Sequence, residues 1–161
     1  CVDAVETFDF LDPTKIFLLG NSIGGTVALL SASLDQRVAG VAVVSGFTPW
    51  RSKAYPSGIS MLCHLHGLVP KLGLWADDTE SVPVDFPEIL ASIAPRPLMV
   101  IAPELDRHTN PSAIKETILS VSKIYSLYGQ KENLKFDIPL EINRLTNEMK
   151  DEIIWFFKKQ L

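Results

Sequence analysis

The sequence predicts an α/β fold, a mostly parallel sheet with helices on both faces, and three observations carry that reading. Short apolar runs, Ile16 to Leu19, Val38 to Gly46 and Leu98 to Glu104, recur along the chain and suit strands buried on both faces. Between and after them lie segments whose apolar residues step by three and four, the period of a helix. The third observation is LLGNSIGGTVALL, residues 18–30, where one period gives way to the other around a lone serine between glycines.

The first element is the run Ile16–Leu19, and after it Ile23, Val27, Leu30 and Leu34 recur at helical spacing as the expected buried face of a helix. Ser22 therefore falls at a strand-to-helix turn. The runs 38–46 and 98–104 give a second and a third strand, and LKFDIP, residues 134–139, a fourth. Ile114, Ile118, Val121, Tyr125 and Tyr128 define a helix opened by Asn110 as cap and Pro111 at its first position. The last helix, Asn147 to Leu161, sets Met149, Ile153, Phe156 and Phe157 on one face, with Lys158 and Lys159 opposing its dipole at the end. Strands alternating with helices imply parallel pairing through crossover connections.

The 161 residues, 47% hydrophobic and 21% charged, suffice for one packed domain. A net charge of −4, a pI near 5.3 and no basic block exclude the footprint of a nucleic-acid or acidic-membrane binder. A small-molecule substrate is the expected partner, and oligomeric state is open. Cys1 and Cys63 form no disulfide framework. No apolar run approaches the roughly 18 residues of a membrane span, so the chain reads as soluble, with its compartment unassigned. It opens on CVDAVETF, as if a helix were already under way, and reads as a piece of a longer domain, truncated at its N-terminus. Residues 48–85, rich in Pro, Gly and aromatics and holding Trp50, Trp75, His64 and His66, read as a lid-like insertion, its tryptophans supplying an apolar pocket.

In Gly20-Asn21-Ser22-Ile23-Gly24 the glycines permit a tight turn that lifts the hydroxyl above the strand ends. The Ile23 backbone N–H, at the helix start, is placed to serve as an oxyanion donor. The simpler alternative is that Ser22 only caps the helix.

GNSIGG after a buried strand resembles the nucleophile elbow of the α/β-hydrolase fold. DPTKIFLLG, residues 12–20, is similar to the lead-in segment of the dienelactone hydrolase and acetyl esterase branch, with prolyl oligopeptidase-type peptidases as neighbours. The likeness spans most of the chain. It implies a serine hydrolase of carboxylic esters working through an acyl-serine, with Ser22 as nucleophile and no cofactor or metal. IAPRPLMVIAPELDR, residues 93–107, resembles the strand and loop that carry the fold's acid, which would be Asp106, with Glu104 as rival. A solvated Asp106 paired with Arg107 or Lys115 is the alternative.

The departures from that pattern are two. The fold places its histidine in the loop before the final helix, here LEINRLT, residues 140–146, and none is there. The chain's three histidines are His64, His66 and His108, of which His108, two residues from Asp106, is the candidate base. His64 and His66 lack a third ligand at a recognisable spacing for a metal. Only 21 residues precede Ser22, too few for the loop that completes the family's oxyanion hole. These departures favour a second reading, a non-catalytic binding domain or inactive fragment that keeps the elbow as structure.

Overall fold

The computed structural model describes residues 1–53, 58–59 and 69–161. His64, His66 and Cys63 lie outside the described residues, as does much of the expected lid. The fold is a parallel sheet of four strands, β1 Ile16–Asn21, β2 Val38–Val44, β3 Leu98–Ile101 and β4 Leu134–Asp137, in the order β1-β2-β3-β4. Among the described residues the helices that position the site and its core include α1 Val2–Val5, α2 Ile23–Leu34, α3 Phe86–Ala91, α4 Pro111–Leu127 and α5 Asn147–Lys158. The parallel α/β class and all four strands stand where the sequence puts them.

Why the central strands read as unbroken apolar runs is visible in the packing. Val41 and Val43 of β2 and Leu98 and Val100 of β3 face one core, shared with α2, α3 and α4. Their alternate neighbours Ala42, Val44, Met99 and Ile101 face the other, closed by Met149, Ile153 and Phe156 of α5. Both faces of β2 and β3 are thus dry, and neither strand admits a charged or amide side chain at either parity.

The helix ends follow the local chemistry. Asn110 accepts from the Ala113 N–H at 3.0 Å and Pro111 opens α4, while Thr146 accepts from the Met149 N–H at 3.2 Å to open α5. In α4 the residues Ile114, Ile118, Val121 and Tyr125 are buried as expected, but Tyr128 is exposed beyond the last turn.

Helix α2 corrects the sequence reading. Ile23, Val27 and Leu34 point outward, and the buried residues are Gly25, Thr26, Ala28, Leu29 and Ala32. The reason is close approach. A Cβ on Gly25 would stand 2.6 Å from the Gly46 Cα, so the helix meets the strand ends through its small residues, not through its larger aliphatic stripe. Among the described residues Leu19 of β1, Ile23 and Val27 are each between 44% and 45% exposed.

Between β2 and α3 the described residues are anchored. Short 3₁₀ turns occupy Pro70–Trp75 and Thr79–Ser81. The buried Asp85 carboxylate accepts from the backbone N–H groups of Trp50 at 2.7 Å, Arg51 at 2.9 Å and Phe86 at 2.7 Å, and forms a capping box with Glu88. That clamp fixes the segment after β2 against α3, with Phe47 stacked on Phe86 at 4.4 Å between ring centroids.

Candidate active site

At the carboxyl ends of the strands, Ser22 sits between β1 and α2 with φ 54° and ψ −126°. This is a left-handed conformation that costs a non-glycine residue on the order of 1–3 kcal/mol and persists only where its surroundings hold it. Two contacts do so here. The Ser22 N–H donates to the Val44 carbonyl at 2.8 Å, and the Thr26 hydroxyl donates to the Gly46 carbonyl at 2.5 Å. Gly20 makes the bend possible, since a Cβ there would lie 2.2 Å from the Gly24 carbonyl oxygen. Although Ser22 occupies the cap position of α2, its side chain makes no capping hydrogen bond.

The hydroxyl is instead turned to a cavity of about 220 Å³, lined among the described residues by the elbow, by Phe47 and Phe86, and by the loop of His108 and Thr109. Ile23 stands on its rim, and its N–H, one of the unpaired donors at the start of α2, bonds to no acceptor among the described residues. Trp50 and Trp75 do not line this cavity. Trp50 is buried against Phe86 at 5.0 Å and Trp75 packs at the core margin, so the aromatic walls are Phe47 and Phe86.

Asp106 follows β3 and is 5% exposed. One of its oxygens accepts from the His108 backbone N–H at 2.9 Å; the other accepts from the Thr109 hydroxyl at 2.9 Å and from the Asn143 amide at 3.2 Å. It forms no ion pair with Arg107 or Lys115 among the described residues, and Glu104, on the exposed side of the same loop, joins none of these contacts. His108 is among the residues lining the cavity that Ser22 faces, yet its side chain hydrogen-bonds neither to Ser22 nor to Asp106. Its tie to the carboxylate runs through its backbone.

Asn143 joins the two ends of the site. Its Nδ2 lies 3.4 Å from Ser22 Oγ and 3.2 Å from Asp106, while its Oδ1 accepts from the Asn21 side chain at 3.2 Å. The sequence reading passed over this residue. Its one signal in the sequence is its place in segment 140–146, where the resembled fold carries its histidine. Among the described residues no group of three or more His, Cys, Asp or Glu is arranged to hold a metal ion, and no helix is long and apolar enough to cross a membrane.

Among curated proteins none matches this sequence. Solved structures do. A promiscuous CE15 esterase from a marine bacterial metagenome superposes with a TM-score of 0.84 at 18% identity, over 99% of this chain and 45% of that one. A CE15 glucuronoyl esterase from Caldicellulosiruptor kristjansonii superposes with a TM-score of 0.80 at 24% identity, over 99% of this chain and 47% of its own. A glucuronoyl esterase from Sporotrichum thermophile, solved in complex with methyl 4-O-methyl-β-D-glucopyranuronate, gives 0.69 at 18% identity, over 91% and 43%. The chain thus spans about half the length of the solved structures it matches, and at these identities the likeness shows a shared α/β-hydrolase fold. The family model for fungal glucuronyl esterases matches residues 1–129, which is most of the chain, and by that match the chain belongs to the glucuronyl esterase family.

Proposed function

We propose that this chain carries the nucleophile and acid of a serine hydrolase acting on carboxylic esters, with esters of uronic acids as the substrate class. The observation that carries the proposal is Ser22, held at φ 54° with its hydroxyl free of the helix and facing a cavity. Ser22 Oγ attacks the ester carbonyl carbon and gives its proton to an imidazole, for which His108 on the cavity wall is the candidate. The tetrahedral oxyanion accepts from the Ile23 N–H; its collapse expels the alcohol, protonated by the imidazolium, and leaves an acyl-serine. Water then attacks the acyl carbon by the same route and releases the acid. Asp106 keeps the cationic partner favourable by its charge.

The substrate class rests on the family and on the lining. Phe47 and Phe86 offer an apolar face to a sugar ring, while the hydroxyls of Thr26 and Thr109 are already engaged with the Gly46 carbonyl and Asp106. The narrower likeness of residues 12–20 to the dienelactone hydrolase and acetyl esterase branch supports the same acyl chemistry, and residues 48–85 are the segment proposed to cover the site. The test is release of methanol from methyl glucuronate by the chain and by Ser22→Ala. Loss of all turnover in the variant supports the reading, and an equal rate in both abolishes it.

A second reading, a domain that binds such esters without cleaving them, is favoured by one observation. The group that bridges Ser22 and Asp106 is an amide, not an imidazole. Saturable binding of the methyl ester with no turnover would establish it.

A further inference from the structure

We propose that Asn143 occupies the general-base position of this site and that its amide holds the turnover of Ser22 down. The inference rests on the reading of Ser22 as nucleophile. In a serine triad one group touches both the hydroxyl and the buried carboxylate, donating to the carboxylate and accepting the serine proton. Here a single residue makes both contacts, Asn143, at 3.4 Å and 3.2 Å.

The orientation of the amide is fixed by its neighbours. Val44 offers a carbonyl, which only accepts, so the Asn21 Nδ2 that lies 3.2 Å from it is a donor. The same nitrogen lies 3.2 Å from Asn143 Oδ1, which must then be the acceptor. Asn143 accordingly presents its NH₂ to Ser22 and to Asp106. Both contacts run through a donor with no lone pair to spare, so Ser22 Oγ is held as an acceptor there and receives no base from position 143. The arrangement satisfies the Asp106 charge while leaving the hydroxyl neutral. His108, which also lines the cavity, makes no side-chain hydrogen bond to either oxygen.

An imidazole at position 143 has room, since Asn143 is half-buried and borders the cavity. The experiment compares the chain with Asn143→His, Ser22→Ala/Asn143→His and Asp106→Asn/Asn143→His. It reads methyl glucuronate hydrolysis and the titration of ¹⁵N-labelled histidine by NMR. Asn143→His is expected to hydrolyse faster by on the order of 10² to 10⁴, the usual contribution of a positioned base, and to lose that gain with Ser22→Ala. The introduced ring is expected to titrate above the ordinary value of about 6.5, because a carboxylate favours its cation, and to fall when Asp106 becomes Asn.

Should Asn143→His prove unstable, Asn143→Ala carries the test. Free imidazole then restores a Ser22-dependent rate in the variant and leaves the parent chain unchanged. A parent chain that already turns over through Ser22, with no gain in Asn143→His and no imidazole response, overturns the role of Asn143 and leaves the hydrolase reading intact. An introduced ring that ignores Asp106→Asn shows that position 143 is not the base position. Absence of any Ser22-dependent reaction in parent and variants overturns both.

Discussion

Gly20 and Gly24 bracket the elbow, and they are not equivalent. A methyl group on Gly20 would sit 2.2 Å from the carbonyl oxygen of Gly24, whereas one on Gly24 meets nothing within 4 Å among the described residues. Backbone, unlike a flexible side chain, has nowhere to give way. Gly20→Ala is expected to destabilise the fold by about 3 kcal/mol or more and to displace Ser22. Gly24→Ala, inside the first turn of a helix, is expected to be neutral or to stabilise by up to about 1 kcal/mol. Urea unfolding of the two variants checks the pair, and equal losses in both would show that the second glycine is also sterically required.

Arg96 ties the sheet to the far end of α2. Its guanidinium donates to the carbonyls of Ala32 at 2.7 Å, Val38 at 2.8 Å, Asp35 at 3.1 Å and Ile93 at 3.2 Å. These include carbonyls at the C-terminal end of α2 that have no partner within the helix. Arg96→Met is expected to cost about 2–4 kcal/mol, since charge-assisted bonds are lost and carbonyls are stranded. Beneath it the fully buried Tyr125 hydroxyl donates to the Arg96 carbonyl at 2.7 Å, and burial pushes its ionisation well above the ordinary phenol range. Tyr125→Phe is expected to cost about 1–2 kcal/mol by thermal denaturation.

Among the carboxylates held below their ordinary range, which include Asp12, Glu88, Glu141 and Glu148, Asp35 is shifted far enough to test. Hydrogen bonds from the Arg37 side chain and backbone hold the Asp35 carboxyl at about 2, below its model-compound value of 3.8. Arg37 also pairs with Asp3 and Glu6, which ties α1 to the turn before β2. A depressed folded-state value means that the stabilisation is present above the unfolded value and disappears as pH falls toward the folded one. The melting temperature of the parent chain is therefore expected to exceed that of Asp35→Asn at neutral pH. The gap should close between pH 4 and about 2. A gap that persists unchanged at pH 2 would assign the effect to something other than this carboxylate.

The strands were legible because β2 and β3 are dry on both faces, which leaves a run of Val, Leu, Ile and Met with no alternation to misread. Helix α4 was legible through Asn110 and Pro111 as well as through its period. The burial of α2 was not, because its large aliphatic residues point outward and the packing is carried by Gly25, Ala28 and Ala32, residues that a count of hydrophobic positions undervalues. In the site, Ser22 announced itself by its glycines, and Asp106 by its place after β3. Asn143 did not, because an amide belongs to no acid-base repertoire and acquires meaning only when the fold sets it between a hydroxyl and a carboxylate.

The central claim is that the elbow presents Ser22 as a nucleophile, and covalent labelling tests it most directly. The chain, Ser22→Ala and His108→Ala are incubated with a fluorophosphonate and weighed intact. The account predicts one adduct on the parent chain, none on Ser22→Ala, and slower labelling of His108→Ala. A folded parent chain whose mass does not change, or an adduct that survives in Ser22→Ala, would contradict it.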